Sequence, residues 1–188
     1  MKFITVASIA FNAMFLSGIA VGGTLAIQQD IAEKQKVQMD ISMSVAAALR
    51  HEQIQCMATN IYFETRSVSL ADAMSVSDVV LNRVASKHYP NSVCKVVYDS
   101  VLVNGVPAKN KCQFSWYCDG KSDNPKDTEA WNRAMKFASD IMKYGKYRGV
   151  TEGSTHYHAS YVKPYWAPTL DRVARIGSHI FYRAKGSK

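Results

Sequence analysis

Glu64 stands where a carboxyl group has chemical consequences. Residues 61–67 read IYFETRS, and the preceding HEQIQCMATNIYF sets Ile54, Met57, Ala58, Ile61 and Tyr62 at helical spacing. Glu64 follows Ile61 by three positions and Met57 by seven, so it projects from the same apolar face. It also falls near the helix C-terminus, where the helix dipole least favours a negative charge. A carboxyl on an apolar face loses hydration, which disfavours its charged form and raises its pKa. A general acid that cleaves a glycosidic bond needs that property. The structural alternative is a salt bridge to a basic residue, which would lower the pKa instead. Arg66, two residues on, does not share the helix face and is a poor local partner. Spacing alone leaves both readings open.

Two further groups could carry chemistry. In STHYHASYV, His156 and His158 share one face of an alternating stretch. They could ligate a metal given a third ligand, bond a polar substrate, or form an exposed polar face. No third ligand stands at a recognisable spacing, so neither metal nor cofactor is expected. The stretch CQFSWYCDG gathers Gln113, Ser115, Trp116, Tyr117 and Asp119, and YVKPYWAP adds Tyr161 and Trp166. Aromatics beside polar groups suit stacking on sugar rings, and a packed Phe-Trp-Tyr cluster explains them equally. The candidate substrate-binding residues are therefore Gln113, Ser115, Trp116, Asp119, His156, His158, Tyr161 and Trp166.

The elements that must position these groups change period along the chain. Ser69 opens a helix with a Ser-x-x-Asp box ending at Asp72, followed by an apolar stripe of Leu70, Ala73, Val76, Val80 and Val84. HYPNS at 88–92 ends it. Residues 94–127 read as loop, with Gly105-Val106-Pro107 and Asp123-Asn124-Pro125 as breakers. Thr128 is expected to cap a third helix with Trp131, Ala134, Phe137, Ala138 and Ile141 on its apolar face, and Gly145 to stop it. A strand pattern then runs over 154–161, and VARI and HIFYR flank a Gly177-Ser178 hairpin turn. The fold class expected is α+β, a helical lobe carrying Glu64 and then a small antiparallel sheet.

The bulk properties frame the partner. The 188 residues carry 23 Lys and Arg against 15 Asp and Glu, a net charge of +8, so an anionic partner is favoured. The basic residues are scattered singly, without the clusters of a nucleic-acid binder, and no nucleic acid is expected. Residues 3–27 carry no charge and are long enough to span a bilayer, though Asn12 and three glycines temper their hydrophobicity. They read as a retained signal-anchor, with a cleavable signal peptide as the alternative. Residues 28–50 read as a helical stalk and 51–188 as the catalytic domain. Either reading of the N-terminus exports that domain, to the membrane surface or the periplasm. The even set Cys56, Cys94, Cys112 and Cys118 then allows two disulfides in three possible pairings. At least one bridge is expected, involving Cys112 or Cys118.

Taken together and in order, CMATNIYFETRS, VVLNRV, YPNSVCKVVY, KCQFSWYCDG, THYHASYVKPYWA and RIGSHIFYR resemble the SleB/CwlJ-type cell-wall hydrolases. The resemblance covers roughly residues 53–183 and rests on the combination, each stretch alone being weak. It implies attack on peptidoglycan glycan strands in a lysozyme- or lytic-transglycosylase-like cleft, with Glu64 as the catalytic acid. It further implies a single-carboxylate lytic transglycosylase acting on the MurNAc–GlcNAc bond as an endolysin or wall remodeller, expected to work as a monomer. The chain departs from its relatives with Thr65 and Ser67-Val68-Ser69, where they commonly carry Ala and then Gly-Glu. Glu64 is thereby left as the only acid of its motif. Three alternatives stand: a muramidase-type hydrolase recruiting Asp119, a metal-dependent amidase using His156 and His158, and a noncatalytic wall-binding module.

Overall fold

The computed structural model describes residues 7–65 and 69–186, with side chains from residue 24 onward. Arg66, Ser67, Val68 and the first 23 side chains lie outside the described residues, and with them most of the expected anchor. The first helix, α1 (Ala7–Thr65), contributes to two compact units, Met1–Leu49 and Arg50–Lys188. In the first unit every described side chain is exposed, Ile31, Val37, Ile41 and Val45 included. Among the described residues no helix is long and apolar enough to cross a membrane.

In the second unit the α1 stripe buries as its spacing requires. Ile54, Met57, Ala58 and Ile61 pack with Ala73 and Val80 of α2 (Leu70–Ala85) and with Ala134 and Ala138 of α4 (Thr128–Tyr144). Leu70 departs from the expected stripe: as the first residue of α2 it is exposed. The Ser69 side chain caps α2 by accepting from Asp72 N. For α4 the cap is Asp127, which accepts from Ala130 N, and not Thr128; Gly145 ends the helix at φ 62°.

The stretch expected as loop contains real elements. It holds a short helix α3 (Val93–Val97), a hairpin of β1 (Ser100–Val103) and β2 (Val106–Cys112), and a 3-10 turn at Ser115–Cys118. Asn104 and Gly105 both have positive φ, 52° and 78°, the backbone that a two-residue hairpin turn demands. Asn-Gly is thus a hairpin signal, where the sequence reading saw only a breaker. Two disulfides form: Cys56–Cys94 ties α1 to α3, and Cys112–Cys118 closes the 3-10 turn onto β2.

The C-terminal sheet is antiparallel, with β3 (His156–Ala159), β4 (Asp171–Ile176) and β5 (His179–Arg183) in the order β3-β5-β4. β3 is shorter than the pattern over 154–161 suggested, and it is an edge strand. The Gly177-Ser178 turn joins β4 to β5 as expected. Asp72 docks this turn on α2. Its Oδ1 accepts from Ser178 N at 2.9 Å, Ser178 Oγ at 3.0 Å and His179 Nδ1 at 3.0 Å. A Cβ at Gly177 would stand 2.3 Å from that oxygen, and φ there is 54°, so only glycine fits. The Ser-x-x-Asp box is therefore half a box: Ser69 caps, while Asp72 serves the sheet.

Candidate active site

Glu64 reaches the floor of a cavity of about 430 Å³ between the end of α1, the 3-10 turn and the edge strand β3. Gln113, Ser115, Trp116, Asp119, His158 and Tyr161 line the same cavity, so six of the eight expected substrate-binding residues are brought together. His156 and Trp166 are not among the lining residues. Their rings pack on each other 5.6 Å apart, and Trp166 also packs against His158 and Tyr182. Trp116 is largely buried, with its indole N–H donating to Asn60 Oδ1 at 3.1 Å and its ring stacked on Phe63. It is first a packed aromatic, as the structural reading of CQFSWYCDG had it. Tyr161 is 87% exposed, which leaves its ring free to meet a sugar.

The carboxyl of Glu64 is held in a perturbing environment. Burial raises its pKa above the ordinary glutamate value. Opposing that are the Tyr157 hydroxyl, which donates to Oε2 at 2.9 Å, and the positive potential of His179 and Arg83. Burial, and then the neighbouring Glu64, push Tyr157 well above its usual range, so it stays a hydrogen-bond donor. Burial thus favours the neutral carboxyl, while a donor and nearby positive charge stand ready for its anion. That balance suits a group that first gives a proton and then takes one.

Sequence reasoning missed the supporting residues. Arg83, only 4% exposed, projects from α2 toward the sheet. Its Nε donates to Thr155 O at 2.8 Å. The Gln113 amide oxygen, turned toward the guanidinium, accepts from Nη2 at 2.9 Å and Nη1 at 3.0 Å. The rings of Tyr89 and Phe114 cover it at 5.5 and 5.2 Å. Tyr157 and His179 also line the cavity, the latter held by Asp72. Glycan chemistry gives no spacing signature for such residues, because α2, β3 and β5 supply one each.

The two histidines do not present a matched pair of ligand nitrogens. His158 donates from Nδ1 to Ala159 O at 2.9 Å and accepts at Nε2 from the Tyr182 hydroxyl at 3.0 Å. His156 Nδ1 meets Thr155 Oγ1 at 3.0 Å. Among the described residues no group of three His, Cys, Asp or Glu side chains is arranged to hold a metal. Asp119 shares the cavity with Glu64, but its Oδ1 accepts from Lys121 N at 2.8 Å and its Oδ2 lies 3.4 Å from Lys121 Nζ. A second cavity of about 300 Å³ adjoins this one through Phe63, Trp116 and Asp119.

Residues 67–182 match the family of cell wall hydrolases, a span that starts just after Glu64. The chain is 23% identical over 151 residues to a spore cortex-lytic enzyme of Halalkalibacterium halodurans, covering 80% of this chain and 40% of that protein. It therefore spans two-fifths of that relative's length. Among solved structures it is similar to the catalytic domain of Bacillus cereus SleB, at 26% identity and a TM-score of 0.52, over 70% of this chain and 89% of that one. The catalytic domain of the germination-specific lytic transglycosylase SleB from Bacillus anthracis compares at 25% identity and a TM-score of 0.51, over 70% and 93%. With the match covering well over half of its length, the chain belongs to the SleB/CwlJ-type family of cell wall hydrolases.

Proposed function

We propose that the protein cleaves the MurNAc–GlcNAc bond of peptidoglycan as a lytic transglycosylase with Glu64 as its one acid and base. The observation that carries this reading is the shielded Glu64 carboxyl at a cavity floor, with the Tyr157 hydroxyl on its Oε2. In the first step Glu64 gives its proton to the glycosidic oxygen as the C1–O bond breaks, and the electron pair leaves with that oxygen. The cationic character that develops at C1 is offset by the new carboxylate. In the second step the carboxylate takes the proton of the 6-hydroxyl, O6 bonds to C1, and a 1,6-anhydro ring closes. Glu64 ends protonated and no water is consumed. Gln113, Ser115, His158 and Tyr161 are the proposed substrate contacts beside it, and the adjoining cavity gives the strand a course past Trp116.

A hydrolase with Asp119 as the second carboxylate is the other reading, favoured by the presence of Asp119 in the same cavity. Its carboxylate is already occupied by the Lys121 backbone, which argues for the single-acid route.

The pH profile of wall lysis checks the acid role. The first step needs protonated Glu64, and burial holds its pKa above 4.5. Activity is therefore expected to fall as pH rises through that raised value, with the alkaline midpoint clearly above the ordinary glutamate range. A midpoint at or below 4.5 contradicts the assignment.

The anionic wall polymer also suits the +8 charge of the chain. We further propose that the charge-free run over 3–27 carries the domain out of the cytoplasm as a signal-anchor. Full-length protein is then expected in the membrane fraction, and recovery wholly in the cytosol sinks this part.

A further inference from the structure

The β1–β2 hairpin turns apolar side chains to solvent. Val101, Leu102, Val103 and Val106 are each more than half exposed. A strand pair that meets water normally keeps its polar residues on the wet face. Here both faces are apolar. Val103 and Val106 are cross-strand partners and share one face, while Leu102, next to Val103 in the strand, points to the other. The foot of the hairpin is braced. Gln113 N donates to Asp99 O at 2.8 Å, and the Cys112–Cys118 bridge ties the end of β2 to the 3-10 turn. The run from Val101 to Val106 is exposed throughout, so a firm foot carries an apolar tip into solvent. Contiguous exposed apolar surface of this kind marks an interaction site.

Shape and charge say what covers this tip. A folded partner presents its surface to one face of a hairpin, whereas a tip that is apolar on both faces needs surroundings that close around it. Lipid does so. The hairpin sequence SVLVNGVPAKNKC contains no acidic residue, and its two cations, Lys109 and Lys111, stand behind the tip on the returning strand. Lys95 lines the open groove beside Leu102 and is also exposed. None of the three lysines is in a salt bridge among the described residues. An apolar end with a basic collar fits the layering of an anionic bilayer, acyl boundary first and phosphate above it. The reach fits as well. From Val101 to Val103 the strand advances about 7 Å at about 3.3 Å per residue. Interfacial segments sink about 5–10 Å. At that depth Asn104 and the two hairpin edges still meet water, which a deeper course would deny them.

We infer that the β1–β2 hairpin docks the domain on an anionic lipid bilayer, its Val101–Val106 tip in the interface and Lys95, Lys109 and Lys111 among the headgroups. The other end of β2 meets the site already described, for Cys112 and Gln113 line the cavity that holds Glu64. β2 is seven residues long, so docking keeps that end of the cavity within about 20 Å of the lipid. Cleavage is thereby confined to material close to the membrane. The inference goes beyond the glycan-cleaving reading and needs neither that reading nor the N-terminal anchor.

The test uses the full chain with vesicles of phosphatidylglycerol or of phosphatidylcholine, and reads the tip itself. Every version carries the same N-terminal run, so vesicle binding as such decides nothing. A Val103→Trp variant places a reporter at an exposed position, and its emission is taken as the difference from the wild type with its three native tryptophans. With phosphatidylglycerol the reporter is expected to shift to the blue and to be quenched by bromines placed high on the acyl chains. Lys109→Gln with Lys111→Gln should lower the docking equilibrium about twentyfold, from about fivefold per lysine. Leu102→Ser should lower it about tenfold. Lysis of purified, lipid-free peptidoglycan by the double lysine variant should stay at the wild-type rate. If the tryptophan variant misfolds, the methyl resonances of Leu102 and Val103 in the wild type still decide, being broadened by a nitroxide carried on the lipid. Emission unchanged from water, equal quenching in phosphatidylcholine, or a lipid-free dimer that hides the reporter would each overturn the inference. So would slower lysis of free wall by the lysine variant, which would make those lysines wall contacts.

Discussion

Replacing Glu64 by glutamine removes wall lysis and leaves the fold in place. The amide is nearly isosteric, so the packing of Ile54, Met57 and Ile61 in the turns before it survives. The Tyr157 hydroxyl can still donate to the amide oxygen where it now meets Oε2 at 2.9 Å. What disappears is the transferable proton, and with it both the acid and the base step. General acid–base catalysis is worth about 10²–10⁴-fold, so lytic activity is expected to fall at least about a hundredfold. Stability carries a second signature. Because burial raises the folded pKa of Glu64 above its unfolded value, its contribution is fully present below about pH 4.5 and is lost as pH rises through the folded value. Glutamine has no such loss. The variant should match the wild type in acid and exceed it in thermal stability at higher pH. A folded variant that still clears peptidoglycan at near wild-type rate would make Glu64 structural.

Asp72→Ala is expected to be the most damaging substitution for stability. One oxygen of Asp72 takes three hydrogen bonds from the β4–β5 turn, and both it and His179 are buried. Removing the carboxylate leaves the Ser178 N–H unpaired and His179 Nδ1 with Ser178 Oγ alone at 3.1 Å, a loss of about 3 kcal/mol or more. Burial raises the pKa of Asp72, but the bonds from Ser178 and His179 outweigh it, and the net shift is downward. The sign follows: the contribution is present above the unfolded value near 3.8 and is lost as pH falls through the lower folded value. The gap between wild type and variant in chemical denaturation should therefore narrow in strong acid. A gap that stayed constant to low pH would show that the ion is not what docks the turn. Because His179 also lines the cavity, activity should fall alongside stability.

The part of the site built by local periodicity was legible in the sequence. Glu64 could be placed on the buried face of its helix because Ile54, Met57 and Ile61 fix that face, and Gly145 and Gly177 mark the ends of α4 and β4 by their own backbone demands. What depends on contacts across the chain was not legible. Arg83 reads as an ordinary polar position of α2, and only the return of Thr155 and Gln113 in space turns it into a buried cation beside Glu64. Asp72 carries the pattern of a local cap, yet its carboxylate is drawn to residues more than a hundred positions away. His156 and His158 show the converse. Their alternation is correctly that of a strand, but only the packing of distant parts of the chain around β3 makes His158 a lining residue of the cavity and leaves His156 out. The hairpin of β1 and β2 was overlooked for a different reason: its strands are largely exposed and lack an apolar alternation, leaving Asn104-Gly105 as the one local signal.

The most direct test of the single-acid mechanism is mass spectrometry of the muropeptides released from purified peptidoglycan by the wild-type protein. Ring closure by the 6-hydroxyl excludes water, so the account predicts 1,6-anhydromuramoyl ends, each lighter than a hydrolysed end by one water, and no solvent oxygen incorporated when the digestion is run in 18O-labelled water. Reducing muramoyl ends carrying the label would contradict it and move the chemistry to a two-carboxylate hydrolase with Asp119 beside Glu64.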